Sequence, residues 1–315
     1  MTLRAPSKPI MIGVAATALA TALGGYVWHE EHRPPLLEIY VFELKSGHSI
    51  FIRTPEDQRI LIDGGGNGEI IRRLSNILPF YSRRIDVLII TKPDIKNTTG
   101  LVDVADRYSV TEAFIPGLTL EKLGLASSTD GSYDALLNVL SHTHVKIREV
   151  MAGDSIELGK NMKADVIFPV PAESFPYSKA SVPQIVFKII YGSTTILSIG
   201  DIATKAQNFL TSTSSKNIQN VGALITWGNM SAANTSEKFI ASVSPDNIVY
   251  SRSPEKASLK AVSKVSSKKG SAAKKPKKEV TDPLMSVLED GRFNLREHST
   301  VKIASDGTSM RVEAD

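Results

Sequence analysis

Short apolar runs separated by turn residues follow one another along the chain from residue 36 onward. Three runs rich in Ile, Val, Phe and Tyr predict strands at Leu36–Leu44, Ser49–Thr54 and Arg59–Asp63. Glu69–Leu78 then places its apolar residues with helical spacing, and Ile85–Thr91 is continuously apolar, as in a strand covered on both faces. The first part of the chain is therefore predicted to alternate strands with helices.

The same alternation continues through the rest of the chain. Further strands are predicted at Val145–Val150, Ser155–Leu158, Ala164–Phe168, Gln184–Tyr191, Thr194–Ile199, Ala223–Thr226, Asn247–Tyr250, Ser299–Ile303 and Met310–Val312. Further helices are predicted near Leu101–Arg107, Tyr133–Leu140, Ala203–Leu210 and Ser236–Val243. Because strands and helices are interspersed in both halves, the pattern predicts an α/β architecture in which two sheets pack face to face with helices outside.

The N-terminal region has a different pattern, because Ile10–Trp28 contains no charged residue. About 20 apolar residues span a bilayer, so this stretch is predicted to be a transmembrane anchor. Basic residues precede it, which places residues 1–9 in the cytoplasm and everything after the span outside. Small residues at Ala20 and Ala22 leave a cleaved signal peptide, and hence a secreted protein, as the alternative. Either way, the domain from residue 36 is predicted to be exported.

Composition and charge add a second unusual segment. The 42% of hydrophobic residues suffices for a packed core, and the absence of cysteine excludes disulfides and cysteine-based zinc sites. The net charge of +4 is uneven, since Arg252–Glu279 alone carries +8. This Lys-, Ser- and Ala-rich stretch is predicted to be a flexible insertion at about residues 252–281. Its lysines are candidates for binding nucleic acid or another polyanion: Lys256, Lys260, Lys264, Lys268, Lys269, Lys274, Lys275, Lys277 and Lys278.

Five short motifs stand in a fixed order along the chain. Glu43–Ile52 joins two strand-like runs, and Ile60–Gly65 reads Ile-Leu-Ile-Asp-Gly-Gly. Ile85–Asp94 ends in Thr-Lys-Pro-Asp, and Thr195–Ile202 contains Ser-Ile-Gly-Asp-Ile. With Glu297–Ile303 as a closing strand, these segments resemble the metallo-β-lactamase-like domain of ComEC-type competence (DNA-uptake) proteins. The family motifs at the first four places are D-V-G-Q-G-D-A-I-L-I, L-I-D-G-G, T-H-P-H-x-D-H-x-G-G-L and L-L-T-G-D-I.

The resemblance implies a fold and a chemistry for residues 36–315. The fold would be an αββα four-layer metallo-β-lactamase-like sandwich, placed after an N-terminal transmembrane helix. In active members of the family, histidines and carboxylates hold zinc, which generates hydroxide near neutral pH for hydrolysis.

Most of the implied metal ligands are replaced in this chain. The family's metal-site positions are occupied by Lys92, Asp94, Lys96, Asn97, Asp201 and Asn229. The family has His, His, Asp and His at the first four positions and a histidine pair near the last, so only Asp201 is kept. Lysines repel a metal, and one or two carboxylates do not make a zinc site. The chain is therefore predicted to have no cofactor and no catalytic residue; the alternative is zinc at an atypical site using Asp94, Asp201 and His48.

Two further residues are candidate neighbours of this site. The resemblance implies that Asp63 supports the nearby turn by accepting backbone N–H bonds. His48 is either a site residue or a hydrogen-bonded loop histidine. An unpaired carboxylate is costly to bury, so Asp201 is predicted to pair with Lys92, which follows a strand directly, rather than with Lys96.

These features predict an exported, membrane-anchored, non-catalytic domain that serves as a binding or assembly component, and the resemblance implies DNA uptake as its context. Expected partners are the membrane through residues 10–28, DNA or an anionic envelope polymer, and membrane proteins of a DNA-uptake apparatus. Two alternatives stay open. One is a metal-dependent hydrolase of nuclease or phosphodiesterase type with an atypical site, and the other is a structural cell-envelope protein.

Overall fold

The computed structural model describes Thr21 and residues 36–125, 131–228, 230, 234–251 and 291–314. Nearly all of the predicted membrane segment, the whole Lys-rich insertion and Asn229 lie outside these residues. The chain divides into two units, and the second, Leu36–Asp315, contains the elements below. No helix within the described residues is long and apolar enough to cross a membrane.

The strands, in chain order, are β1 (Leu37–Glu43), β2 (His48–Arg53), β3 (Arg59–Ile62), β4 (Arg84–Ile89), β5 (Ser109–Pro116), β6 (Lys146–Val150), β7 (Ser155–Gly159), β8 (Met162–Phe168), β9 (Val186–Tyr191), β10 (Thr194–Gly200), β11 (Ala223–Thr226), β12 (Asn247–Tyr250), β13 (Arg292–Asn294), β14 (Thr300–Ser305) and β15 (Met310–Ala314). The helices are α1 (Glu69–Ile77), α2 (Ile95–Arg107), α3 (Gly131–His142), α4 (Thr204–Thr213), α5 (Ser215–Ile218), α6 (Glu237–Val243) and α7 (Leu295–His298).

Among the described residues, these strands form two sheets. The first has the order β15-β14-β1-β2-β3-β4-β5-β6, and the second has the order β13-β12-β11-β10-β9-β8-β7. In each sheet one part is antiparallel and one part is parallel, and helices lie in the described connections between parallel strands. Strands β3 to β6 are parallel in the first sheet, and strands β10 to β13 are parallel in the second.

Three apolar clusters show that the sheets and helices are stacked in four layers. Successive side chains of a strand point to opposite faces, so β1 directs Ile39 to the space between the sheets and Phe42 to the outer face. The outer face of the first sheet packs on α1, α2 and α3 through residues such as Leu74 and Leu101. The outer face of the second sheet packs on α4 and α6, for example through Phe239. The predicted αββα layer order is confirmed.

The structure differs from the predicted elements in four places, one of which is the short helix α5, which was not predicted. Helix α2 begins at Ile95 rather than near Leu101, because its first turn is polar and carries no apolar periodicity. Strand β5 was not predicted, because its first half, from Ser109 onward, is exposed or half-buried and only its end is apolar. Strand β13 and helix α7 bring the chain back into the sandwich at Arg292, earlier than the predicted strand at Ser299.

Candidate functional site

The implied site lies where strands of both sheets end. Strands β3 and β4 are parallel neighbours with Ile62 opposite Ile89, so the residues that follow them, including Asp63 and Lys92, are at the same end of the sheet. In the second sheet β10 and β11 are also parallel, and β10 is followed directly by Asp201. Ligands of open α/β sheets collect at the carboxyl ends of parallel strands, which is the position of this site.

Asp63 has no exposed surface and organises the loop that follows β4. Its Oδ1 accepts the backbone N–H of Thr91 at 2.8 Å, and its Oδ2 accepts the Thr91 hydroxyl at 2.6 Å and the Asn97 amide at 2.8 Å. Burial raises the pKa of Asp63 to about 7, although the hydrogen bonds from Thr91 and Asn97 oppose the rise. Asp63 accepts a backbone N–H bond, as predicted, but the donor is Thr91 in the loop after β4 rather than a residue of the turn that follows Asp63.

The start of α2 packs directly against the backbone of the loop after β3. Gly100 donates its N–H to Gly65 O at 2.9 Å, and Gly64 donates to Asn97 O at 2.8 Å. A Cβ atom at Gly100 would lie 2.0 Å from Gly64 O, so a side chain at this position is excluded by the neighbouring backbone. This close approach fixes the first turn of α2, and with it Asp94 and Asn97, relative to Asp63.

Lys92 connects the two sheets through its ammonium group. Its Nζ lies 3.0 and 3.1 Å from the two carboxylate oxygens of Asp201 and 2.9 Å from Asp94 Oδ2. The Lys92 side chain is 15% exposed, whereas those of Asp94 and Asp201 are 33% and 53% exposed. Burial of the ammonium opposes its charge, but Asp201 and Asp94 outweigh this effect and raise the pKa of Lys92. The predicted Lys92–Asp201 ion pair is confirmed.

The other residues at the implied metal positions have separate local contacts. Asp94 caps α2, with its Oδ1 accepting the Lys96 N–H at 3.1 Å. Lys96 is exposed and forms no ion pair with any described residue. Asn97 turns to Asp63 and Thr91, away from the ion pairs of Lys92. The structure therefore brings together Lys92, Asp94 and Asp201, but leaves out Lys96 and Asn97.

His48 reaches the site only through a neighbour. It is the first residue of β2 rather than a loop residue, and its ring stacks on Trp227 with centroids 4.6 Å apart and planes 3° apart. Its Nε2 lies 2.8 Å from Glu43 Oε2. Trp227 donates its backbone N–H to Gly200 O at 2.9 Å, directly before Asp201. His48 thus joins the two sheets beside the site, and among the described residues it forms no hydrogen bond or ion pair with Asp201.

A cleft of about 340 Å³ opens beside Lys92 and Asp201. Its other walls come from residues that the sequence did not point to, including Glu121, Lys179 and Gln184. Gln184 is only 1% exposed and donates its amide to Ile199 O at 2.9 Å. Gly200, with φ of +57°, makes room for it, since a Cβ there would lie 2.3 Å from Gln184 Nε2. A glutamine directly before an apolar strand was the one signal that the sequence offered.

The donor set at this site does not fit zinc. Among the described residues, no group of three or more His, Asp or Glu side chains is placed to hold a metal ion. The two carboxylates that converge here, Asp94 and Asp201, are already bridged by an ammonium, which would repel a second cation. No step of any reaction is therefore assigned to a metal in this chain.

No protein-family model and no curated protein matches the chain. Among solved structures it is similar in part to Zn²⁺-bound PqqB from Methylobacterium extorquens, at 14% identity over 72% of this chain and 78% of that chain, with a TM-score of 0.45. It is also similar in part to the metallo-β-lactamase fold protein YhfI from Bacillus subtilis, at 11% identity over 68% of this chain and 85% of that chain, with a TM-score of 0.43. A variant of CmlA β-hydroxylase is similar at 14% identity over 67% of this chain, with a TM-score of 0.46. The match covers 45% of that protein, so the chain spans less than half of its length. These similarities are too low to add to the description of the fold, which rests on the layers and strand order given above.

Proposed function

We propose that the chain is an exported, membrane-anchored domain with a metallo-β-lactamase-like fold and a degenerate metal site. It acts as a non-catalytic binding or assembly component, linked to DNA uptake through its resemblance to ComEC-type proteins. The observation that carries the proposal is the ammonium of Lys92, which lies within 3.1 Å of carboxylate oxygens from both Asp94 and Asp201. A cation supplied by the protein itself then holds the two sheets together where the resemblance implies a metal.

The sequence supports an electrostatic role in binding. The insertion Arg252–Glu279 carries +8, while the remainder of the chain carries −4. Its lysines would attract the phosphates of DNA, or another envelope polyanion, without reading base sequence. Residues 10–28 would hold the domain at the outer face of the membrane, and the insertion would then collect a polyanion there.

Deleting residues 252–279 is expected to abolish most of the DNA binding at low salt while leaving the fold intact. Strands β12 and β13, which flank the insertion, are parallel neighbours with Tyr250 opposite Asn294, so the chain must cross over between them. Residues 280–290 remain after the deletion and, extended, would reach roughly 36 Å, far more than these short strands require. Fluorescence anisotropy with duplex and single-stranded oligonucleotides, measured over a range of NaCl concentrations, would provide the affinities.

A second variant separates charge from length, by replacing the nine insertion lysines with glutamine. It should lose DNA affinity as the deletion does, and its melting temperature should match that of the wild type. For the wild type, log affinity should fall steeply with log salt, with a slope of about −0.9 for each contacted phosphate. If both variants bind DNA as tightly as the wild type, the insertion is not the binding segment.

A further inference from the structure

The loop between α1 and β4 displays two aromatic side chains to solvent. Phe80 is 92% exposed and Tyr81 is 77% exposed, and their rings meet edge to face with centroids 5.4 Å apart. They are the two most exposed large hydrophobic residues of the described part of the chain. Adjacent exposed aromatics are characteristic of a surface that is covered by a partner.

The surroundings of this loop are cationic. Arg83 and Arg107 are exposed, and neither forms an ion pair with a described residue. Both lie close enough to Tyr108 to oppose the rise that burial causes in its pKa. Together with Phe80 they line a groove of about 510 Å³. Asp106 is the one acidic residue in that lining, so the groove combines an aromatic edge with a net positive charge.

The loop lies at the end of the domain where the chain enters it. Glu38 of β1 pairs with Arg53, and Arg53 pairs with Arg59 at the start of β3. Strand β4 is parallel to β3, so β1, β3 and β4 all begin at the same end of the first sheet. Phe80 and Tyr81 stand just before β4. The candidate site, in contrast, follows the opposite ends of β3 and β4.

The chain length restricts what this end can face. Only residues 29–36 separate the predicted membrane segment from β1, and a chain of that length reaches at most about 28 Å. If residues 10–28 are anchored as proposed above, the end of the domain that carries Phe80, Tyr81, Arg83 and Arg107 is held close to the bilayer surface. Aromatic rings favour the headgroup level of a membrane, and arginines are attracted to lipid phosphates.

We propose that the Phe80–Tyr81 loop docks onto the anionic headgroup layer of the membrane that anchors the chain. The two rings enter the interface, and Arg83 and Arg107 contact lipid phosphates. Docking would hold the domain upright, with the cleft at Lys92 and Asp201 directed away from the membrane. This inference rests on the anchoring through residues 10–28 that is part of the proposed function.

The chain contains no cysteine, so one substitution gives a unique site for a fluorescent label. Pro79→Cys places an environment-sensitive dye beside both aromatic residues without removing either, and Lys179→Cys places it at the cleft as a matched control. The full chain is reconstituted into vesicles of phosphatidylcholine, with or without phosphatidylserine, that carry a shallow nitroxide-labelled lipid as quencher. Flotation of the vesicles reports anchoring, and quenching reports docking.

The label at residue 79 should be quenched in anionic vesicles and less so in neutral ones, whereas the label at residue 179 should not be quenched. Adding Phe80→Ser and Tyr81→Ser to the Pro79→Cys chain should remove the quenching while the chain still floats. Arg83→Gln with Arg107→Gln should weaken docking by roughly thirtyfold in anionic vesicles, given the usual contribution of an arginine near such a surface.

Three results would overturn the docking. A chain that floats with an unquenched label at residue 79 refutes it and leaves the anchor intact. A chain that does not float refutes the anchor, and the docking with it. If single-stranded oligonucleotide changes the emission at residue 79 while anionic vesicles do not, the loop is a nucleic-acid surface instead.

Discussion

Asp63→Ala is expected to lower the free energy of unfolding by about 3 kcal/mol. The substitution removes the acceptor of the Thr91 N–H and of the Thr91 hydroxyl, and one of the two acceptors of the Asn97 amide, where Thr91 is only 4% exposed. Chemical denaturation followed by circular dichroism provides the measurement. Asp246→Ala, at an exposed aspartate, is the matched control and should change stability by less than about 0.5 kcal/mol.

The pH dependence separates the charge of Asp63 from its hydrogen bonds. Its folded pKa of about 7 is above the usual value of 3.8, so the native state binds an extra proton between those two values. The contribution of this group to stability is therefore greatest at low pH and declines as pH rises toward 7. When Asp63 is protonated, its carboxyl O–H can donate a hydrogen bond to the hydroxyl oxygen of Thr91, which lies 2.6 Å from Asp63 Oδ2. Asp63→Asn should remove this dependence; equal pH profiles for both proteins would contradict the assignment.

Lys92→Ala is expected to lower the free energy of unfolding by about 2 kcal/mol. It leaves Asp94 and Asp201 facing each other without a cation, and it removes the only ion pair in the described residues that joins Asp201 to the first sheet. The loss stays below that of a fully buried pair, because both carboxylates keep contact with water. Thermal unfolding followed by circular dichroism would show the change as a lower melting temperature.

Lys96→Ala is the matched control for Lys92→Ala, since Lys96 is four residues away, exposed and unpaired with any described residue. It should change stability by less than about 0.5 kcal/mol. Combining Lys92→Ala with Asp201→Asn should cost less than the sum of the two single changes, because each removes the same interaction. Additive effects would show that the contact between Lys92 and Asp201 contributes nothing.

Most elements of the sandwich could be predicted because their burial is regular. Strand β1 alternates between two cores and β3 is buried throughout, so both leave clear apolar patterns. The elements that were missed carry polar residues for local reasons. The first turn of α2 serves Asp63 and Asp94 through hydrogen bonds, and the start of β5 is exposed at the end of the sheet. The periodicity of apolar residues cannot reveal an element whose polar residues form hydrogen bonds with a neighbouring loop.

The ion pair between Lys92 and Asp201 could be predicted because each residue follows the end of a strand and the two charges are opposite. Lys92 and Asp201 are 109 residues apart, but the family resemblance placed both at one site. The role of Asn97 could not be predicted in the same way, because the direction of its side chain depends on the backbone contact between Gly64 and Gly100. The wall formed by Lys179 and Gln184 was also missed, since no motif marks that loop.

Zinc binding by the wild-type chain tests the central claim most directly. The protein would be purified without chelators, analysed for metal content, and then titrated with zinc by calorimetry while its melting temperature is followed. The account predicts no stoichiometric metal, no binding heat at the site and no rise in melting temperature, because Lys92 already occupies the position between Asp94 and Asp201. One equivalent of tightly bound zinc that is lost in Asp201→Ala would contradict the account and restore the hydrolase alternative.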